Sequence, residues 1–168
     1  MQCGIACLSM ISNYHGQAYS LEYLSNLCFA TTEGVSLKAI KDAAEDIGLE
    51  SECVKTTTDD LCRAPMPCIL HWNQNHFVVL YAISKNRKHF FIADPAKGKI
   101  KYSYAEFQKH WISTSSNSAE KGIAMFFNPT EKFGAGKQQK SRNRKFLGFL
   151  WPYIKSVSYT HLTLPTNR

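Results

Sequence analysis

"HFVVLYAISKNRKHFFIADP", residues 76–95, decides the fold. Two runs rich in β-branched and aromatic residues flank the polar, turn-like "KNRK", which is the pattern of two strands joined by a short turn. In an antiparallel pair the start of the first strand lies beside the end of the second. His76 begins the first run, and Asp94 ends the second just before Pro95. The two side chains are therefore expected next to each other at one edge of the sheet, although 18 residues separate them. Singly, His76 reads as a strand-end histidine bonded to backbone and Asp94 as a turn former. Together they read as a base and the acid that orients it.

More strands lie on either side. "PCILHW" precedes the hairpin and "KIKYSY" follows it, with "NQN" and "AKG" as turns, "LESECVK" as a weakly alternating run and "KGIAMFFNP" as a last strand. Ser103 with Glu106 makes a capping-box pattern that opens a short helix, "YAEFQKHW". The N-terminal third reads differently. Residues 3–15 carry Ile5, Leu8, Met10 and Ile11 at helical spacing and stop at Gly16. Ser20 is placed to cap "LEYLSNLC". Ser36 is placed to cap "LKAIKDAAEDI", whose Leu37, Ile40, Ala44 and Ile47 share a face that ends at Gly48. Helices first and an antiparallel sheet afterwards predict an α+β fold.

Composition narrows the class. The chain has 168 residues, 44% hydrophobic and 20% charged, which suits one globular domain with a real core. Its formal net charge of +7 is concentrated late: residues 128–158 carry +6 and Arg168 one more, leaving residues 1–127 near neutral. A nucleic-acid binder carries its charge on the folded face, so nucleic acid is not an expected partner. The basic segment reads either as a solvated linker or as a membrane-proximal stretch. Six cysteines without a secretory signal point to a reducing compartment and to buried thiols, not a disulfide framework. No run approaches the roughly 20 apolar residues that span a bilayer. "GxxxxGK" is absent, so no ATP site is expected in this chain.

After Pro129 the sequence turns polar and basic, "TEKFGAGKQQKSRNRK", which reads as a linker. "FLGFLWPYIKSV" follows, apolar and aromatic but too short to span; it suits a membrane interface or a small docked helix. "YTHLTLPTNR" fits nothing before it and reads as translated adapter or cloning sequence, outside the fold.

A base needs a nucleophile. Cys3 sits where the first helix begins, with Gly4 leaving its sulfur uncrowded; a helix N-terminus lowers a thiol pKa, and the thiolate is the reactive form. Cys3, His76 and Asp94 thus form a candidate nucleophile–base–orienter set. His71, five residues before His76, is a rival base. A metal alternative also stands: Cys3 and Cys7 with His71 and His76 make a possible Cys2His2 zinc set.

"QCGIACLSMI", "HWNQNHFVVLYAI" and "FIADPAKGKI", in that order and spacing, resemble the papain-like leader peptidase domain of bacteriocin-processing ABC transporters. The resemblance covers about residues 1–130. It implies a papain-like cysteine peptidase fold and a cytoplasmic-face enzyme that cuts a leader peptide after a double-glycine motif before export. It assigns Cys3 as nucleophile, His76 as general base and Asp94 as its orienter, with no cofactor or metal in this segment. ATP and magnesium would belong to the transporter's ATPase part. The implied partners are the double-glycine leader peptide and the transmembrane and ATPase domains of a dimeric bacterial membrane transporter. Residues 1–130 would be the peptidase domain, 131–145 a basic linker, 146–158 the start of an entry helix, and 159–168 a non-native tail. One family feature is missing. The glutamine six residues before the cysteine, which helps form the oxyanion hole, would fall four residues before Met1, and Gln2 does not match it. Losing such a donor costs on the order of 10²–10³ in rate, so an impaired enzyme, or a domain that only docks leaders, is the expectation for the chain as written, along with a reading frame that continues at both ends. A free-standing papain-like hydrolase is the third reading, and the basic, aromatic tail disfavours it.

Overall fold

The computed structural model describes residues 3–28, 35–116 and 119–135. Most of the basic linker, the expected entry helix, the adapter-like stretch and Gln2 lie outside the described residues. The described chain runs α1 (Cys3–Tyr14), α2 (Leu21–Leu27), α3 (Leu37–Asp46), β1 (Leu49–Thr56), α4 (Thr58–Leu61), β2 (Cys68–Trp72), β3 (His76–Ile83), β4 (His89–Asp94), β5 (Gly98–Ser103), α5 (Tyr104–Trp111), β6 (Ile112–Ser116) and β7 (Ala119–Pro129).

The expected caps close the helices. Ser20 accepts from the Tyr23 amide and Ser36 from the Ala39 amide. Ser103 and Glu106 bond reciprocally at the start of α5. Each cap satisfies amides that a helix start leaves without partners. α1 is unusual in burying residues on every side, from Cys3 through Ser12 with Ala6 alone half-buried, which marks a helix embedded in the core. Its buried Ser12 hydroxyl stays satisfied by donating to the Leu8 carbonyl at 2.9 Å.

The sheet is antiparallel throughout, in the order β1-β7-β2-β3-β4-β5, with β6 beside β7. Alternation along β3 divides the core. Phe77, Val79 and Tyr81 pack with α1, α2 and α3. Val78 and Leu80 pack with Phe107 and Trp111 of α5. The aromatic side is tied down by the Trp111 indole, which donates to the Ile123 carbonyl at 3.0 Å. Gly122 is needed there, because a Cβ at that position would collide with the indole ring.

The expected last strand is β7, and it enters between β1 and β2. Two features depart from the sequence reading. α4, a single turn capped by Thr57, and β6 were not expected. Both are short elements whose own sequence carries too few periodic positions to be read.

Candidate active site

The β3–β4 hairpin does what its sequence predicts. Its register pairs Val79 with Ala93, which brings the start of β3 to the end of β4. His76 Nε2 lies 2.8 Å from Asp94 Oδ1. Asp94 is only 4% exposed, so its carboxylate must find its partners inside the protein. The same Oδ1 accepts the Ala96 backbone amide at 2.8 Å, the turn geometry expected of an Asp two residues before its donor. A carboxylate so held accepts from Nε2–H, and this leaves the lone pair of His76 on Nδ1. The second donor, Ala96, was not foreseen, though "ADPA" carries its signal.

Cys3 stands at the N-terminus of α1, at the rim of the helical core with 9% exposure. Packing sets its position. A Cβ on Gly4 would lie 2.6 Å from Ile40 Cδ1 and 3.3 Å from Phe77 Cδ2, so the first turn of α1 is pressed between α3 and the residue that follows His76. Cys7, one turn further on, is fully buried. Burial pushes its thiol well above the usual range, and the nearby Cys3 and Asp94 add to the rise. Among the described residues Cys3 Sγ makes no hydrogen bond to His76.

His71 does not share this arrangement. It pairs with Phe77, whereas His76, the first residue of β3, pairs with Trp72. Its ring centroid is 5.3 Å from that of Phe77, its Nδ1 is buried without a partner, and burial lowers its pKa. No carboxylate meets it among the described residues. Nor are Cys3, Cys7, His71 and His76 gathered into a metal-binding group: among the described residues no three potential ligands cluster.

Comparisons with known proteins show the family and the fold. The peptidase C39 family model matches residues 1–119. The chain belongs to the peptidase C39 family. Its relatives include a probable microcin-H47 secretion/processing ATP-binding protein from Escherichia coli, 33% identical over 138 residues. Another is the colicin V secretion/processing ATP-binding protein of Escherichia coli, 34% identical over 114 residues. These alignments cover 82% and 68% of this chain but only 18% and 16% of the relatives, so the chain spans under a fifth of their length. Among solved structures, it is similar to a double glycine motif protease from an AMS/PCAT transporter in complex with the leader peptide. That likeness has a TM-score of 0.67 at 33% identity and covers 77% of this chain and 85% of the other. The peptidase domain of Streptococcus ComA, a bi-functional ABC transporter, matches with a TM-score of 0.63 at 25% identity, covering 76% and 91%. The C39 fold, with helices on an antiparallel sheet, is therefore the fold of this chain.

Proposed function

We propose that this C39 domain is a cysteine endopeptidase that cuts double-glycine leader peptides, with Cys3 as nucleophile, His76 as general base and Asp94 as its orienter. The observation that carries the reading is the 2.8 Å contact between His76 Nε2 and the buried Asp94 carboxylate, at the sheet end against which the first turn of α1 packs. The similarity to a protease solved with its leader peptide supports the substrate class.

Nδ1 of His76 takes the Cys3 proton, and the imidazolium is stabilised by Asp94 through Nε2–H. The thiolate attacks the carbonyl carbon of the second glycine, forming a C–S bond and a tetrahedral oxyanion. Collapse breaks the C–N bond as Nδ1–H protonates the departing amine. Water, deprotonated by His76, then cleaves the thioester and returns the thiol. Glycines beside the cut bond have no side chains to clash with a narrow cleft.

In the parent protein the domain would act at the cytoplasmic face of a bacterial membrane. Residues 131–145 would link it to the transmembrane and ATPase domains of a dimeric transporter, beginning at 146–158, as the processing and transport proteins it resembles suggest.

The test is single-turnover cleavage of a synthetic double-glycine leader peptide. Cys3→Ala and His76→Ala are each expected to reduce cleavage to background, while the leader still binds. Unchanged cleavage in Cys3→Ala would sink the proposal, and unchanged cleavage in His76→Ala would move the base to His71. A wild-type chain that binds leader but never cuts it would favour the docking reading.

A further inference from the structure

The turn that delivers His76 to the site is gripped by residues outside it. Asn73 and Gln74 have φ of 49° and 61°, a left-handed conformation that non-glycine residues adopt at a cost and keep only when their surroundings impose it. The Asn73 amide donates to the His110 carbonyl at 2.9 Å, and His110 Nδ1 lies 2.8 Å from Asn73 Oδ1. Backbone and side chain of one turn residue are thus tied to one residue in the last turn of α5. The His110 ring also stacks on Trp72, with centroids 5.3 Å apart and planes at 21°, and meets Tyr102 edge-on at 5.5 Å. Trp72 is the residue paired directly across from His76.

We propose that His110 is a positioning residue for the reaction: by holding Asn73 and Trp72 together it fixes the backbone from which the His76 imidazole projects. The proposal rests on the catalytic reading of His76. Asp94 orients the His76 ring by its Nε2; beside the β2–β3 ladder that pairs Trp72 with His76, His110 adds a further constraint on the strand start. A misplacement of about 1 Å at a catalytic group can cost about 10²-fold in rate, so a hydrogen bond one step away from the chemistry carries weight far above its own strength.

The experiment uses the full chain and three variants. His110→Phe keeps a ring on Trp72 and removes Nδ1. Asn73→Gly accepts the left-handed backbone and removes Oδ1. His110→Gln restores a side-chain donor. Circular dichroism checks the fold, single-turnover cleavage of a double-glycine leader peptide gives the rate and half-saturation, and nitrogen-15 NMR follows the His76 ring. The expected result is a rate about ten- to a hundredfold lower in His110→Phe and Asn73→Gly, half-saturation within about twofold, a shifted His76 ring signal, and most of the rate recovered in His110→Gln. A wild-type rate and ring signal in His110→Phe would overturn the proposal. So would a loss of rate in both variants that only tracks loss of fold. His76→Ala separates the two layers: if it cleaves normally the catalytic reading fails, whereas an inactive His76→Ala beside a fully active His110→Phe removes the positioning role alone.

Discussion

The end of the β3–β4 hairpin and the N-terminus of α1 hold their chemical groups by different means. On the hairpin, strand register, two hydrogen bonds to one carboxylate oxygen and the His110 anchor all converge on His76 and Asp94. On the helix, Cys3 has packing alone: Gly4 pressed against Ile40 and Phe77, and Cys7 buried behind it. Directional bonds fix the imidazole to a narrow set of orientations. Close packing fixes the helix as a whole and leaves the thiol its own rotamers. Such a division suits a reaction in which the base must keep one geometry and the nucleophile must travel from proton donor to acyl carrier.

The largest expected effect comes from breaking the bonded side. Asp94→Ala removes the acceptor for both His76 and Ala96, and cleavage should fall by about 10²- to 10⁴-fold. Asp94→Asn keeps an oxygen for the Ala96 amide and should keep the fold while losing most of the rate. Rates and His76 ring NMR of the two variants check this. Equal rates for wild type and Asp94→Asn would show that the charge of the carboxylate is not used.

The packed side should break more gently and through stability. Gly4→Val drives methyl groups into Ile40 and Phe77, and overpacking of this kind costs about 1–3 kcal/mol. Its cleavage loss should exceed the loss expected from unfolding alone, because Phe77 adjoins His76. Pairing it with Ile40→Ala, which opens space where the clash occurs, should return part of both losses. A double-mutant cycle by urea unfolding measures the coupling, and strict additivity would contradict the contact.

Cys7 offers a smaller test of the same contrast. Cys7→Ala should lower stability by about 1 kcal/mol through a small cavity and leave cleavage intact. Alkylation of the native chain near neutral pH should spare Cys7 and Cys68, both fully buried with thiols held in the neutral form by burial, until denaturant exposes them. Mass spectrometry of the labelled peptides gives the order of reaction.

Local patterns made the bonded side readable. A hairpin places two ends together whatever the rest of the chain does, so His76 and Asp94 could be paired from "HFVVLYAISKNRKHFFIADP" alone. α2, α3 and α5 were legible because Ser20, Ser36 and Ser103 cap them by contacts three residues long. What stayed hidden depends on distance. β7 joins β1 to β2 through pairs such as Cys53 with Met125 and Ile69 with Met125, and no short-range pattern announces a partner so far along the chain. The link between Asn73 and His110 spans 37 residues and is invisible for the same reason.

The weakest expected effect lies in pH, and it separates the two regions by their histidines. His15, just past the C-terminus of α1, and His71, in β2, both have pKa values lowered by burial. An unfolded chain therefore takes up protons near pH 6.5 that the folded chain refuses. Stability from these groups is complete above about pH 6.5 and is lost as pH falls below it. The thermal midpoint should drop between pH 7.5 and 5.5. Glu106, lowered by its bonds to Ser103, loses its contribution only below the ordinary glutamate range, so the two windows do not overlap. His15→Phe keeps a ring against Tyr14 and Phe133 and should flatten part of the slope, and His71→Gln another part. A slope untouched by either variant would place the titration elsewhere. A slope abolished by His15→Phe alone would mean that the helical side, not the sheet beside the site, sets the acid sensitivity of the fold.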